Sequence, residues 1–186
     1  MEITNDLLVV IMYVVLITIG IGNIVMTLAA IINRPSGVKL FWVHNGWMIL
    51  LLLVYFNLFW HTLSLFQVEG WQFGGFLYIV SGPLLILFAT QVILPEFSDS
   101  AELKDFYFRV NQKFFLFLAA LQLWIVGTDL VLGTGFQIVS IFNIIFCGLA
   151  VMLYFVQTEK IHASGVIATW ILFLSVLGLR ALGVIV

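Results

Sequence analysis

The chain has 186 residues, of which 63% are hydrophobic and only 9% charged, and its mean hydropathy is +1.22. A soluble core of this length cannot hide so much apolar surface, so the expected solvent is lipid. The net charge of −2 gives no reason to expect a nucleic-acid partner, and the single cysteine, Cys147, rules out an internal disulfide.

Taken in chain order, six segments reach the roughly 20 apolar residues that a hydrocarbon core of about 30 Å requires. They are residues 7–32, 40–66, 72–94, 114–132, 136–157 and 164–186. The opening MEITNDLL has no basic stretch before its apolar run and no small-residue cleavage pattern after it, so no cleaved signal peptide is expected. Turn chemistry separates the segments: Asn33-Arg-Pro-Ser-Gly37, Gln67-Val-Glu-Gly70, the polar stretch 95–113, Gly133-Thr-Gly135 and Thr158-Glu-Lys-Ile-His162. Short links of this kind make consecutive helices antiparallel neighbours. The predicted fold is all-α: a single domain, 1–186, forming a polytopic integral membrane bundle of six transmembrane helices with short loops. Ser81-Gly-Pro83 and Ser164-Gly-Val166 echo each other too faintly to define an internal repeat.

The loops after the first, third and fifth segments share one side and hold Arg34, Lys39, Lys104, Arg109, Lys113 and Lys160, six of the seven basic residues. Arg180 alone belongs to the other side. Excess Lys and Arg marks the cytoplasmic face. Both termini are therefore expected on the non-cytoplasmic side of a plasma membrane or bacterial inner membrane.

Residues 98–113 form the one sizeable polar connection and read as a cytoplasmic amphipathic segment. Leu103, Phe106, Tyr107, Val110 and Phe114 recur at helical spacing, opposite Lys104, Asp105, Arg109 and Lys113. One reading is a helix lying on the inner leaflet, with Phe106, Tyr107, Arg109 and Lys113 meeting lipid or a protein partner. The plainer reading extends the fourth span outward and packs its aromatics on neighbouring helices.

Inside the spans, Asn23, Asn57, Gln122 and Asn143 each place an amide in hydrocarbon, where an unsatisfied polar group costs several kcal/mol. They serve either as interhelical glue or as the lining of a wet path. No Asp, Glu, Lys or Arg lies near the middle of a span, which argues against proton-coupled or charge-coupled transport. Gly82 and Pro83 predict a kink or hinge in the third span. On the outer side, Asn57, His61 and Ser64 fall at i, i+4 and i+7 on one helix face, and with Glu69, Asp129 and Arg180 they outline a possible outer vestibule. Asp129 and Arg180 are a candidate ion pair, and His61 is either an interfacial helix end or part of that vestibule.

His44, His61 and His162 raise the question of haem b. His44 and His162 fall near the same side on different spans, whereas His61 lies 17 positions along the same helix from His44, about 25 Å away at 1.5 Å per residue. The His44–His162 pair is thus the one haem alternative; otherwise no cofactor is expected. The chain has no HExxH, GxSxG, cysteine pair or glycine-rich phosphate loop, so neither a metal site nor an enzyme is expected. The functional expectation is a non-enzymatic, oligomeric pore or permease-like component for ions or small solutes, its partners being the bilayer and copies of itself or another membrane protein. Two alternatives are a scaffold or accessory subunit acting through residues 95–113 and a haem-binding redox protein.

Overall fold

The computed structural model describes residues 5–33, 39–65, 70–95, 102–131 and 138–183. These residues form six helices: α1 (Asn5–Ile32), α2 (Trp42–Leu65), α3 (Phe73–Ile93), α4 (Leu103–Val131), α5 (Ile138–Phe155) and α6 (Glu159–Ala181). Each is long and apolar enough to cross a membrane. No strand occurs among the described residues.

Side-chain pairs give the helix directions. Gln112 reaches the carbonyl of Tyr154 and Cys147 reaches that of Ala119, so a step of seven residues up α4 is a step of seven down α5, and the two are antiparallel. In contrast, Trp170 bonds the Gly46 carbonyl and Arg180 bonds Asn57, so α2 and α6 run the same way. Helices therefore alternate in direction along the chain, and the start of α1 and the end of α6 share one end of the bundle, called the termini-bearing end below. The other end carries Lys39, Lys104, Arg109, Lys113 and Lys160 and is called the basic end below. Going round the bundle, neighbours follow the order α1, α3, α4, α5, α6, α2, and α2 also touches α3 and α4.

Two boundaries differ from the sequence expectation. Residues 103–113 follow the plainer of the two readings: the fourth span begins eleven residues before 114, and they are the first turns of α4, a helix of 29 residues and about 43 Å that outreaches a hydrocarbon core of about 30 Å. Leu103, Tyr107, Phe114 and Phe115 are fully buried there, and Trp47 lies edge-on to Phe114 and Phe115 with ring centroids 5.6 and 5.2 Å away. Likewise α6 begins at Glu159, not at residue 164, so His162 belongs to its first turn and not to a loop. Glu159 at the start of α6 and Arg180 at its end both complement the helix dipole.

Helices long and apolar enough to cross a membrane pack through close approach of their backbones, because lipid supplies no hydrophobic drive between them. Gly20 lies directly against the Tyr55 ring, and Gly82 against the Trp124 indole; a β-carbon at either position would overlap the ring. Tyr55 donates to Thr90 Oγ1 (3.1 Å), which itself donates to the Ile86 carbonyl (2.8 Å), so α1, α2 and α3 are fastened at one point. At the termini-bearing end, the Trp71 amide donates to Asp6 Oδ1 at 3.3 Å, tying the start of α1 to the approach to α3.

Candidate functional site

A cavity of about 610 Å³ lies within the bundle, walled chiefly by α2, α4, α5 and α6. On α2 its lining runs from Trp47 to Leu65, and on α6 from Thr169 to Arg180. The wall is mostly apolar. Five of the polar residues singled out in the sequence face it: Asn57 and His61 from α2, Gln122 from α4, Asn143 from α5 and Arg180 from α6. The expected outer vestibule and the expected intramembrane amides thus contribute to one space.

At the termini-bearing end, Arg180 Nη1 donates to Asn57 Oδ1 (2.9 Å) and to His61 Nε2 (2.8 Å). Because guanidinium has no lone pair to offer, His61 Nε2 must be the acceptor, which places the ring proton on Nδ1. His61 therefore turns into the bundle, one helical turn beyond Asn57. The side chains of Ser64 and Asp129, and the whole of Glu69, lie outside the described residues, so the expected Asp129–Arg180 pair does too.

Gln122 and Asn143 occupy one level on neighbouring helices. From the contact of Ala119 with Cys147, Gln122 is three residues up α4 and Asn143 four residues back down α5. Gln122 Oε1 and Asn143 Nδ2 are both buried and have no hydrogen-bond partner among the described residues, although one is an acceptor and the other a donor. Asn23 stands apart on α1, half-buried and away from the cavity lining.

Other expected site residues have different surroundings. α3 passes through Pro83 as one helix, and Gly82 is the seat of the Trp124 indole, not an open joint. The two helices are cross-bonded here: Trp124 Nε1 donates to the Tyr78 carbonyl (2.8 Å), and the Tyr78 hydroxyl donates to the Trp124 carbonyl (3.2 Å). Tyr107, expected at a lipid or partner surface, is wholly buried because α4 turns that face toward α2 and α6. Phe106 is half-buried under the Arg109 guanidinium, while Arg109 and Lys113 are exposed.

The two histidines of the haem alternative lie at the basic end, each held by a carbonyl at the close of another helix. His44 Nε2 donates to the Ile93 carbonyl of α3 (2.8 Å), and His162 Nε2 donates to the Val156 carbonyl just past α5 (2.7 Å). Helix ends leave such carbonyls without intrahelical donors. Since His162 gives its Nε2 proton away, its Nδ1 accepts from the Tyr107 hydroxyl at 2.8 Å. The Tyr107 ring contacts both imidazoles edge-on, with centroids 6.4 and 5.4 Å away, and so stands between them.

Sequence reasoning passed over several lining residues, notably Tyr13, Trp47, Trp124, Thr128 and Thr169. Trp47 and Trp124 lie deep in their spans, which in the sequence alone fits packing between helices or facing lipid and does not single out a cavity wall. Comparison of the chain with protein-family models, with curated proteins and with solved structures finds no match in any of the three.

Proposed function

We propose that the protein is a non-enzymatic, permease-like membrane component that holds a small uncharged solute, mostly apolar with a polar group, in the cavity between α2, α4, α5 and α6. The observation that carries this reading is the convergence of Asn57, His61, Gln122, Asn143 and Arg180 on one space of about 610 Å³. Small-molecule sites commonly enclose about 300–1,000 Å³ behind apolar walls with a few polar groups. Arg180 is the only Lys, Arg, Asp or Glu among the described lining residues, and it is engaged by Asn57 and His61, which favours an uncharged solute over an ion.

In this proposal the basic end faces the cytoplasm, because the Lys and Arg excess is there. The Arg180 end and both termini then face the opposite side of a plasma or bacterial inner membrane. The test is release of a size-graded panel of uncharged amphipathic solutes from loaded proteoliposomes, with potassium as the ionic control. Saturable release above that of protein-free vesicles, without potassium conductance, is expected. Release no faster than from protein-free vesicles, or a sustained ion current, would overturn the proposal.

A further inference from the structure

Gln122 Oε1 and Asn143 Nδ2 are complementary, lie at one level of neighbouring helices and belong to residues that line the same cavity, yet neither bonds the other or any described group. An acceptor and a donor left open in hydrocarbon carry a cost of several kcal/mol that a bound molecule can remove. One oxygen atom that both donates and accepts satisfies the two together: its hydrogen goes to Gln122 Oε1, and its lone pair receives a hydrogen of Asn143 Nδ2. A hydroxyl does this. A carboxylate lacks the hydrogen, an ether lacks the donor, and an ammonium lacks the lone pair.

The rest of the lining sets the remainder of the ligand. Around the two amides the wall is formed by such residues as Leu118, Leu121, Ile125, Phe146 and Phe173, all apolar. The Arg180 cation at the cavity's end already has Asn57 and His61 as acceptors on Nη1. Resting on the solute-binding reading given above, we infer that the ligand is a neutral, hydroxyl-bearing lipophile, such as a long-chain alcohol, whose hydroxyl is clasped between Gln122 and Asn143.

Three matched photoreactive probes test this: a diazirine-bearing dodecyl alcohol, its methyl ether and the corresponding alkane, each titrated into protein in phosphatidylcholine nanodiscs. Saturable labelling of the cavity-lining peptides is read by mass spectrometry. In the unaltered protein the apparent affinities are expected to fall in the order alcohol, ether, alkane, by about tenfold at each step, the equivalent of one hydrogen bond of about 1.4 kcal/mol. Gln122→Leu should erase the difference between alcohol and ether, and Asn143→Leu that between ether and alkane. The ranking in the unaltered protein needs no variant, so it decides the matter even if a variant fails to fold. Equal affinity for the three probes would overturn the hydroxyl clasp, assign the two amides to bound water and leave the solute-binding reading standing. Absence of saturable labelling by any probe would overturn both.

Discussion

His44 and His162 show how much a single buried polar side chain depends on its partner. Each supplies the donor that a terminal helix carbonyl lacks, so removing the imidazole exposes a buried carbonyl instead of merely deleting a contact. His162→Phe should lower unfolding stability by about 1–3 kcal/mol, whereas Tyr107→Phe, which leaves His162 on Val156, should cost about 1 kcal/mol. Chemical unfolding of the purified protein, followed by loss of helicity, measures both. An effect of His162→Phe no larger than that of Tyr107→Phe would contradict the capping role. Outside the membrane-spanning helices, Lys39 Nζ meets Glu102 Oε1 at 2.5 Å beside the bond from the Leu103 amide to the Lys39 carbonyl. That partner holds the Glu102 carboxyl below, and the Lys39 ammonium above, the usual range. The pair's contribution is therefore present between about pH 4 and pH 10, fading as pH falls through the lowered carboxyl value or rises through the raised ammonium value. Both groups are solvent-exposed, so the effect is small and salt-sensitive; Glu102→Gln should flatten the acid limb of the stability profile at low ionic strength. The sequence made these residues visible as polar positions, but not their partners. The Ile93 carbonyl that holds His44 lies 49 positions away along the chain, and only packing brings it near, whereas the Val156 carbonyl that holds His162 lies six positions back, across the turn between α5 and α6.

Among the helices, number, order and alternation were legible because each span announces itself by length and hydropathy. The two displaced boundaries have one cause. Polar residues at the start of α4 and α6 look like loop, yet Leu103, Tyr107 and His162 point inward while Lys104, Asp105 and Lys160 point outward, so the polar stretch is one face of a continuing helix. Helix faces were much less legible. These helices are apolar all round, so no amphipathic stripe separates the lipid side from the interior. Leu121 is fully buried whereas Leu123 is 64% exposed, and nothing in their identity distinguishes them. Gly82 illustrates the same limit: its neighbour Pro83 suggested a hinge, whereas the glycine is the floor on which Trp124 sits. Gly82→Ala should therefore destabilise the protein by about 1–3 kcal/mol through overpacking. The double variant Gly82→Ala with Trp124→Leu should recover part of that loss, a coupling that a double-mutant cycle detects. Additive effects would show that the glycine serves flexibility and not this contact.

For the whole molecule, six alternating helices put the start of α1 and the end of α6 at one end, and the proposed orientation, which rests on the charge asymmetry, turns that end away from the cytoplasm. A terminal epitope tag at either end of the chain should be accessible to antibody on intact cells, and an insertion at residue 36, beside Arg34 and Lys39, only after permeabilisation; the reverse pattern would invert the proposed orientation. The candidate polar residues were themselves readable from the sequence. That five of them share one cavity was not, because it depends on how α2, α4, α5 and α6 rotate about their axes. The most direct test is therefore whether that space holds a molecule. Ala150 is a small residue on its wall, and Ala150→Phe places a ring inside it. Native mass spectrometry of the two proteins, exposed to the same neutral lipophile and matched for helicity, should show one retained molecule per chain in the unaltered protein and none in Ala150→Phe. Equal occupancy of the two proteins, or no retained molecule in either, would contradict an intramembrane solute site.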